Sequence, residues 1–224
     1  MVRFVQITAC AAVLAVLLAG VAAYQRRLPL FASRLNAAAT GATTFDGDAF
    51  KRDALIDAKD APRAPAFAAG TWINSDPLKL DNLRGRVVVV DFWTFGCYNC
   101  RNTLPALKRL DETYAAQGLT IVGVHTPELD LEQPVENVRR EVASLGLRYA
   151  VVTDNDYATW HAYGVEAWPT IFILDRAGRV RYKHVGEGRY EEQERVVKAL
   201  LAEEYKGDAG EKTADAAQRR STDE

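Results

Sequence analysis

The chain has 224 residues, 48% of them hydrophobic, and its 28 Lys and Arg against 30 Asp and Glu leave a formal charge of −2. That is enough apolar sequence for one sizeable core plus extensions. The near balance of charge gives no electrostatic reason to expect nucleic acid as a partner, and three cysteines are too few for a disulfide framework.

Phe4 to Tyr24 is an apolar run broken only by Gln6 and Thr8, with Arg3 before it and Gln25-Arg26-Arg27 after it. Its length suffices to cross about 30 Å of hydrocarbon as one helix. Residues 1–24 are therefore expected to be a transmembrane anchor. A cleaved signal peptide is the alternative, because Val21-Ala22-Ala23 resembles a small-residue cleavage site. Basic residues flank both ends, so the charge rule does not orient the segment. Cys10 falls inside the run. Residues 25–64 carry many Ala, scattered charges and Pro62, and are expected to form a linker with a short helix near Ala49–Asp57.

The folded domain is expected over 65–205. Gly70-Thr71-Trp72-Ile73-Asn74 and then Leu78, Leu80 and Leu83 lead to Gly85. Val87 to Trp93, with four consecutive Val, reads as a strand buried on both faces. Thr94-Phe95-Gly96 turns the chain, and Leu104, Leu107, Leu110 and Tyr114 follow at helical spacing up to a Gly118 stop. Leu119–His125 is a second buried strand. Pro134 suits the start of a helix carrying Val135, Val138, Val142 and Leu145, closed by Gly146. Tyr149–Val152 makes a short strand, Asp154–Tyr163 a helix, and Thr170–Leu174 another strand. After the turn Asp175–Gly178, Val180, Tyr182 and His184 alternate as on an edge strand. Tyr190–Tyr205 forms the last helix, with Val197 and Leu201 toward the sheet. Residues 206–224 show no periodic apolar face and read as a disordered tail. Strands alternating with helices and ending in a hairpin predict an α/β fold, with a mixed central sheet flanked by helices.

Cys97 and Cys100 are the only cysteines of this domain, three positions apart where a helix begins. Unpaired N–H groups and the helix dipole favour an anion there, which suits a nucleophilic thiolate. A second thiol one turn on equips the pair for disulfide exchange: the first sulfur attacks a substrate disulfide and the second resolves the mixed intermediate. Zinc is the first rival, but four ligands would be needed, no second Cys pair exists, and His125, His161 and His184 are scattered. A static structural disulfide is the second. Such bridges serve small, core-poor domains, and this one has ample apolar sequence. A thiol peroxidase is the third, because Thr94 stands three residues before Cys97 as in the peroxiredoxin T-x-x-C; the Pro usual in that group would fall at Val90. No cofactor or metal is expected.

From about Ala64 to Leu201 the sequence resembles the thioredoxin-like fold. Asp91-Phe92-Trp93, Cys97-x-x-Cys100, Pro105 and Trp168-Pro169-Thr170 match its pattern position by position. The leader and the extra helix and strand between His125 and Asp154 resemble the TlpA-type membrane-anchored thiol–disulfide oxidoreductases. FWTFGCYNC, GVHTPE, DNDYATW and GEGRY are most similar to the C-terminal thioredoxin-like domains of DipZ-type proteins. Tyr98-Asn99 departs from the Gly-Pro of thioredoxin between the cysteines.

The resemblance implies an enzyme that reduces protein disulfides outside the cytoplasmic membrane, in the periplasm or cell envelope, with a membrane thiol reductase as electron donor. If the leader is cleaved, the domain is secreted instead. It implies Cys97 as nucleophile, Cys100 as resolving thiol and Asp91 as a buried carboxylate that moves the proton of Cys100. Pro169 is expected as a cis proline facing the pair, with Trp168 and Trp93 as an apolar rim for substrate; core packing is the competing reading of Trp93. Pro105 is expected to kink the catalytic helix. His125 and Glu128 fall at the end of the second strand, where ligands collect in α/β sheets; a satisfied loop histidine is the plainer reading of His125. A non-catalytic module binding extended polypeptide is the reading from a different class.

Overall fold

The computed structural model describes residues 55–205 and 207. The expected anchor or signal segment, most of the linker and, apart from Gly207, the tail lie outside the described residues. Among the described residues no helix is long and apolar enough to cross a membrane. Of the helix expected near Ala49–Asp57, only 55–57 are described, and they are not helical.

Six strands form one mixed sheet in the order β1-β4-β3-β2-β5-β6. They are β1 (Trp72–Ile73), β2 (Val87–Trp93), β3 (Leu119–His125), β4 (Ala150–Thr153), β5 (Thr170–Leu174) and β6 (Val180–Val185). β2 lies at the centre with all seven residues buried, as a run of Val without alternation requires. It pairs in parallel with β3 and antiparallel with β5. β3 and β4 are parallel, while β5–β6 and β1–β4 are antiparallel. The parallel part and terminal hairpin are thus as the sequence reads. The two-residue β1 is too short to leave a periodic signal.

Among the described residues four α-helices cover the sheet: α1 (Tyr98–Tyr114), α2 (Val135–Ser144), α3 (Ala158–Ala162) and α4 (Tyr190–Ala202). One face buries Val87, Val89 and Trp93 against Leu104 and Leu107 of α1, Val138 and Val142 of α2, and Val197 and Leu200 of α4. The other packs Val88, Val90 and Phe92 against Leu83, Trp160, Tyr163 and Val165. Because side chains alternate along a strand, Asp91 shares the face covered by α1; a slip of one residue would send it to the opposite face. That register places a carboxylate beneath the helix that begins at the cysteines.

Three differences have local causes. α3 is shorter than expected, since Tyr157 sits at φ 58 and the Asp154 carboxylate accepts from Thr159 N and Trp160 N, both at 2.9 Å, so the helix starts after them. α4 ends at Ala202 rather than Tyr205, and Glu203 beyond it pairs with Arg181 at 2.7 Å. The edge strand β6 does not alternate between buried and exposed: Arg181 and Lys183 are buried as well. Residues 56–64, assigned from sequence to the linker, run alongside it. Ile56 N donates to Arg181 O at 2.8 Å, Val180 N to Pro62 O at 2.8 Å, and Ala64 N to Gly178 O at 3.0 Å. Covering an edge in this way protects its unpaired backbone groups.

Candidate active site

The central strand delivers the dithiol. β2 ends at Trp93, three residues turn, and Cys97 caps α1, its sulfur accepting the Cys100 N–H at 3.2 Å. α1 runs unbroken through Pro105. Both thiols are free. Cys97 is partly exposed and Cys100 is only 1% exposed. Burial, reinforced by the hydrogen bond with Cys97 and the nearby Asp91 charge, pushes the Cys100 thiol up. The pair is therefore unequal, with an accessible sulfur first and a buried, protonated one behind it.

Asp91 is 1% exposed, and among the described residues no protein group donates to either of its oxygens. Burial pushes its carboxyl up to about 7, as expected for a charge without compensating donors. Gly123 lies opposite it on β3. A Cβ there would come within 2.9 Å of Trp93 Nε1 and 3.4 Å of Tyr149 Cε2, so the glycine makes room for both rings. Tyr149 is itself buried, and its phenol is pushed well up, first by burial and then by the Asp91 charge. Trp93 is 0% exposed and stands edge-on to His125 at 5.3 Å. It belongs to the core beside the dithiol and not to an exposed rim, because its strand is covered on both faces.

Phe92 pairs with Thr170, which brings Trp168 and Pro169 to the same end of the sheet as the turn into Cys97. The Trp168–Pro169 peptide is cis. Pro169 is buried and its carbonyl accepts from Gly186 N at 2.8 Å. Trp168 is half-buried, donates its indole N–H to Thr126 O at 3.1 Å and packs against Trp160 with ring centroids 4.3 Å apart and planes tilted by 39°.

The opposite flank holds a cluster that the motifs do not announce. Glu132 is wholly buried. One carboxylate oxygen accepts Gly96 N at 2.8 Å; the other accepts Glu128 N at 2.6 Å and Leu129 N at 2.8 Å. Burial alone would raise this carboxyl. The donors Leu129, Thr94, Glu128 and Gly96 together outweigh it and hold the group below the usual range. A Cβ on Gly96 would collide with Glu132 Oε1, so glycine is required there for space rather than for backbone angle. Thr94 Oγ1 lies 3.2 Å from His125 Nε2. His125 is buried and stacks on Phe95 at 5.4 Å. Burial lowers it to about 4, against the opposing pull of the Glu132 charge. Glu128, by contrast, is exposed. The sequence signal that singles out Glu132 is its place three residues after Leu129 in a turn, but its partner Gly96 lies 36 residues away. Among the described residues no group of three or more His, Cys, Asp or Glu is placed to hold a metal ion.

The chain resembles known proteins in sequence and fold. The chain is 40% identical over 133 residues to Protein DipZ of Mycobacterium tuberculosis, covering 58% of this chain and 19% of that protein. It thus spans about a fifth of the length of that relative. It is 27% identical over 162 residues to the thiol-disulfide oxidoreductase ResA of Bacillus anthracis, covering 72% of this chain and 88% of ResA. The crystal structure of a thiol:disulfide interchange protein of the thioredoxin family from Chlorobium tepidum superposes with a TM-score of 0.55 at 27% identity, over 66% of this chain and all of that one. Residues 61–183, more than half of the sequence, match the model of the AhpC/TSA family. The chain is a member of that family with a thioredoxin-like fold.

Proposed function

We propose that this chain is a thiol–disulfide oxidoreductase that reduces protein disulfides through a reversible Cys97–Cys100 couple. The Cys97 thiolate attacks one sulfur of a substrate disulfide; that S–S bond breaks, a mixed disulfide forms, and the departing substrate thiolate takes a proton. Cys100 then passes its proton to the Asp91 carboxylate and attacks the Cys97 sulfur. The second substrate thiol is released, and the enzyme dithiol has given up two electrons as the Cys97–Cys100 disulfide. An external dithiol donor restores it. The observation that carries this reading is the unequal pair itself: a reachable sulfur at a helix N-terminus, with a buried thiol behind it and a carboxylate of pKa about 7 on the same face of the sheet. A base in that range suits proton transfer at neutral pH. Trp168 and Pro169 supply the surface on which an extended substrate lies beside Cys97, and the buried Trp93 packs behind the thiols.

The domain over 65–205 is read as extracytoplasmic, in the periplasm or outside the cytoplasmic membrane. Residues 1–24 tether or export it, 25–64 serve as a linker whose last part, 56–64, lies along β6, and 206–224 serve as a tail. The donor is read as a membrane thiol reductase. Net direction depends on the potential, where 30 mV in a two-electron couple corresponds to about 1.4 kcal/mol.

The test uses the full 224-residue chain. Cys100→Ser mixed with a disulfide-bonded protein traps a mixed disulfide through Cys97, and the wild type turns over insulin disulfides with a dithiol donor. Binding without trapping or turnover leaves only a polypeptide-binding module, and faster consumption of hydroperoxide than of disulfide makes the chain a peroxidase. A reporter fused after Tyr205 that is active only in the cytoplasm overturns the export reading.

A further inference from the structure

The turn that carries Glu132 is held rigidly yet turns its apolar side chains outward. Its 3₁₀ segment Asp130–Glu132 follows Leu129. The Tyr157 hydroxyl donates to Pro127 O, Asn137 Nδ2 to Leu131 O at 2.7 Å, and Asn155 Nδ2 to Gln133 O at 2.9 Å. The Glu132 carboxylate takes up the N–H groups of Glu128 and Leu129 and, with its other oxygen, fastens the turn to Gly96 beside Cys97. With the backbone so fully bonded, Leu129 and Leu131 remain 52% and 56% exposed. Of the four large hydrophobic residues exposed among those described, the third, Tyr98, follows Cys97 directly and is 76% exposed; only Leu55 lies elsewhere in the sequence. On a rigid frame, covering exposed apolar side chains costs only their own rotamer freedom, because the backbone is already ordered.

Resting on the oxidoreductase reading above, we propose that Leu129 and Leu131 form a docking ledge for substrate polypeptides that carry an apolar side chain next to their disulfide cysteine. The occupant follows from continuity with the reactive sulfur. A polypeptide that places its disulfide on Cys97 must lie across the residues around Gly96, and the ledge is fastened to that residue. The exposed acids Glu128 and Asp130 frame the two leucines, so a neutral or basic segment fits there and an acidic one is repelled. The ledge thus sets which disulfides are reduced, while the dithiol sets how.

The test compares two disulfide-linked synthetic peptides, one with Leu and one with Ser beside the cysteine, and the small molecule 2-hydroxyethyl disulfide. The full chain is assayed as wild type, as Leu129→Ser/Leu131→Ser and as Leu129→Met/Leu131→Met. The expected result is a fall of roughly tenfold in kcat/KM on the Leu peptide for the Ser pair. The small disulfide should stay within twofold and the Met pair should retain the wild-type rate. Equal losses on peptide and small disulfide, or no loss on either, overturn the ledge. So does a wild-type dimer in sedimentation that the Ser pair dissolves, which would assign the leucines to a second copy of the chain. A wild type that turns over none of the three overturns the oxidoreductase reading itself.

Discussion

Two buried carboxylates stand on either side of the turn into Cys97 and have opposite surroundings. Asp91 lies in the sheet beneath α1, has no protein donor among the described residues, and is raised to about 7 by burial. Glu132 lies in the turn between β3 and α2, accepts three backbone N–H groups, and is held below the usual range although burial opposes this. Depth alone therefore does not set the charge state; the supply of donors does. The first carboxyl is free to exchange a proton near neutrality, and the second is a fixed anion that holds the backbone together. Exchanging the donors would exchange the roles.

The largest effect is expected at Asp91. Its folded pKa lies above the unfolded value of 3.8, so between pH 4 and 7 the unfolded chain releases its proton first and wild-type stability falls as pH rises. For a group moved from 3.8 to about 7 the loss is of order 4 kcal/mol above neutrality. Asp91→Asn should match wild type below pH 4 and unfold at distinctly higher urea at pH 8.5, while resolving mixed disulfides more slowly at pH 7. Equal urea midpoints at both pH values would mean the carboxylate is not desolvated.

Glu132→Gln should show the reverse profile. A carboxyl held below its unfolded pKa stabilises the fold above that unfolded value, and the contribution is lost as pH falls through the folded one. The amide cannot accept on its nitrogen, so at least one backbone donor is orphaned, at a cost of about 2–3 kcal/mol at pH 7. The deficit should shrink on acidification. A deficit independent of pH would indicate lost packing rather than lost charge.

These two residues also mark what was legible in the sequence. β2, α1 and the cysteine pair are written in contiguous residues, by an unbroken Val run, a helical period and a spacing of three. Asp91 inherits its position from that run, and Trp168-Pro169 is recognisable by resemblance. Glu132 looks like one acid among Glu128, Asp130 and Glu136, and acids are ordinarily solvated. Its burial depends on a contact with Gly96 that no local pattern carries. Arg181 and Lys183 were hidden for the same reason: alternation implies exposure unless a distant segment, here 56–64 with Glu203, covers the edge. Trp93 sits beside the motif, and of its two sequence readings, rim or core, its full burial matches the core.

Gly96→Ala tests the Glu132 side more finely. The added Cβ would collide with Glu132 Oε1, and relieving such overpacking typically costs about 1–3 kcal/mol. In a Glu132→Ala background the same substitution should cost under about 0.5 kcal/mol, since the obstructing atom is gone. The two changes should thus be strongly non-additive in a urea double-mutant cycle. Additive costs would place the strain of the alanine elsewhere in the turn.

The smallest effect is expected at Tyr149 and probes the donor-poor side. Its hydroxyl is buried with no protein partner among the described residues, whereas removing a hydroxyl from a made hydrogen bond ordinarily costs about 1 kcal/mol. Tyr149→Phe keeps the ring that packs over Gly123 and deletes only an oxygen whose desolvation went uncompensated. Its stability should therefore stay within about 0.5 kcal/mol of wild type, or rise. The same variant reports on Asp91, because the Asp91 charge acts on the phenol. If the phenol stabilises the Asp91 carboxylate in solution, the midpoint of the wild-type pH profile should move upward in Tyr149→Phe. If it does not, the profile stays where burial alone puts it. A loss above 1 kcal/mol together with an upward move would show that this side has a donor after all, and the contrast between the two carboxylates would narrow to one of degree.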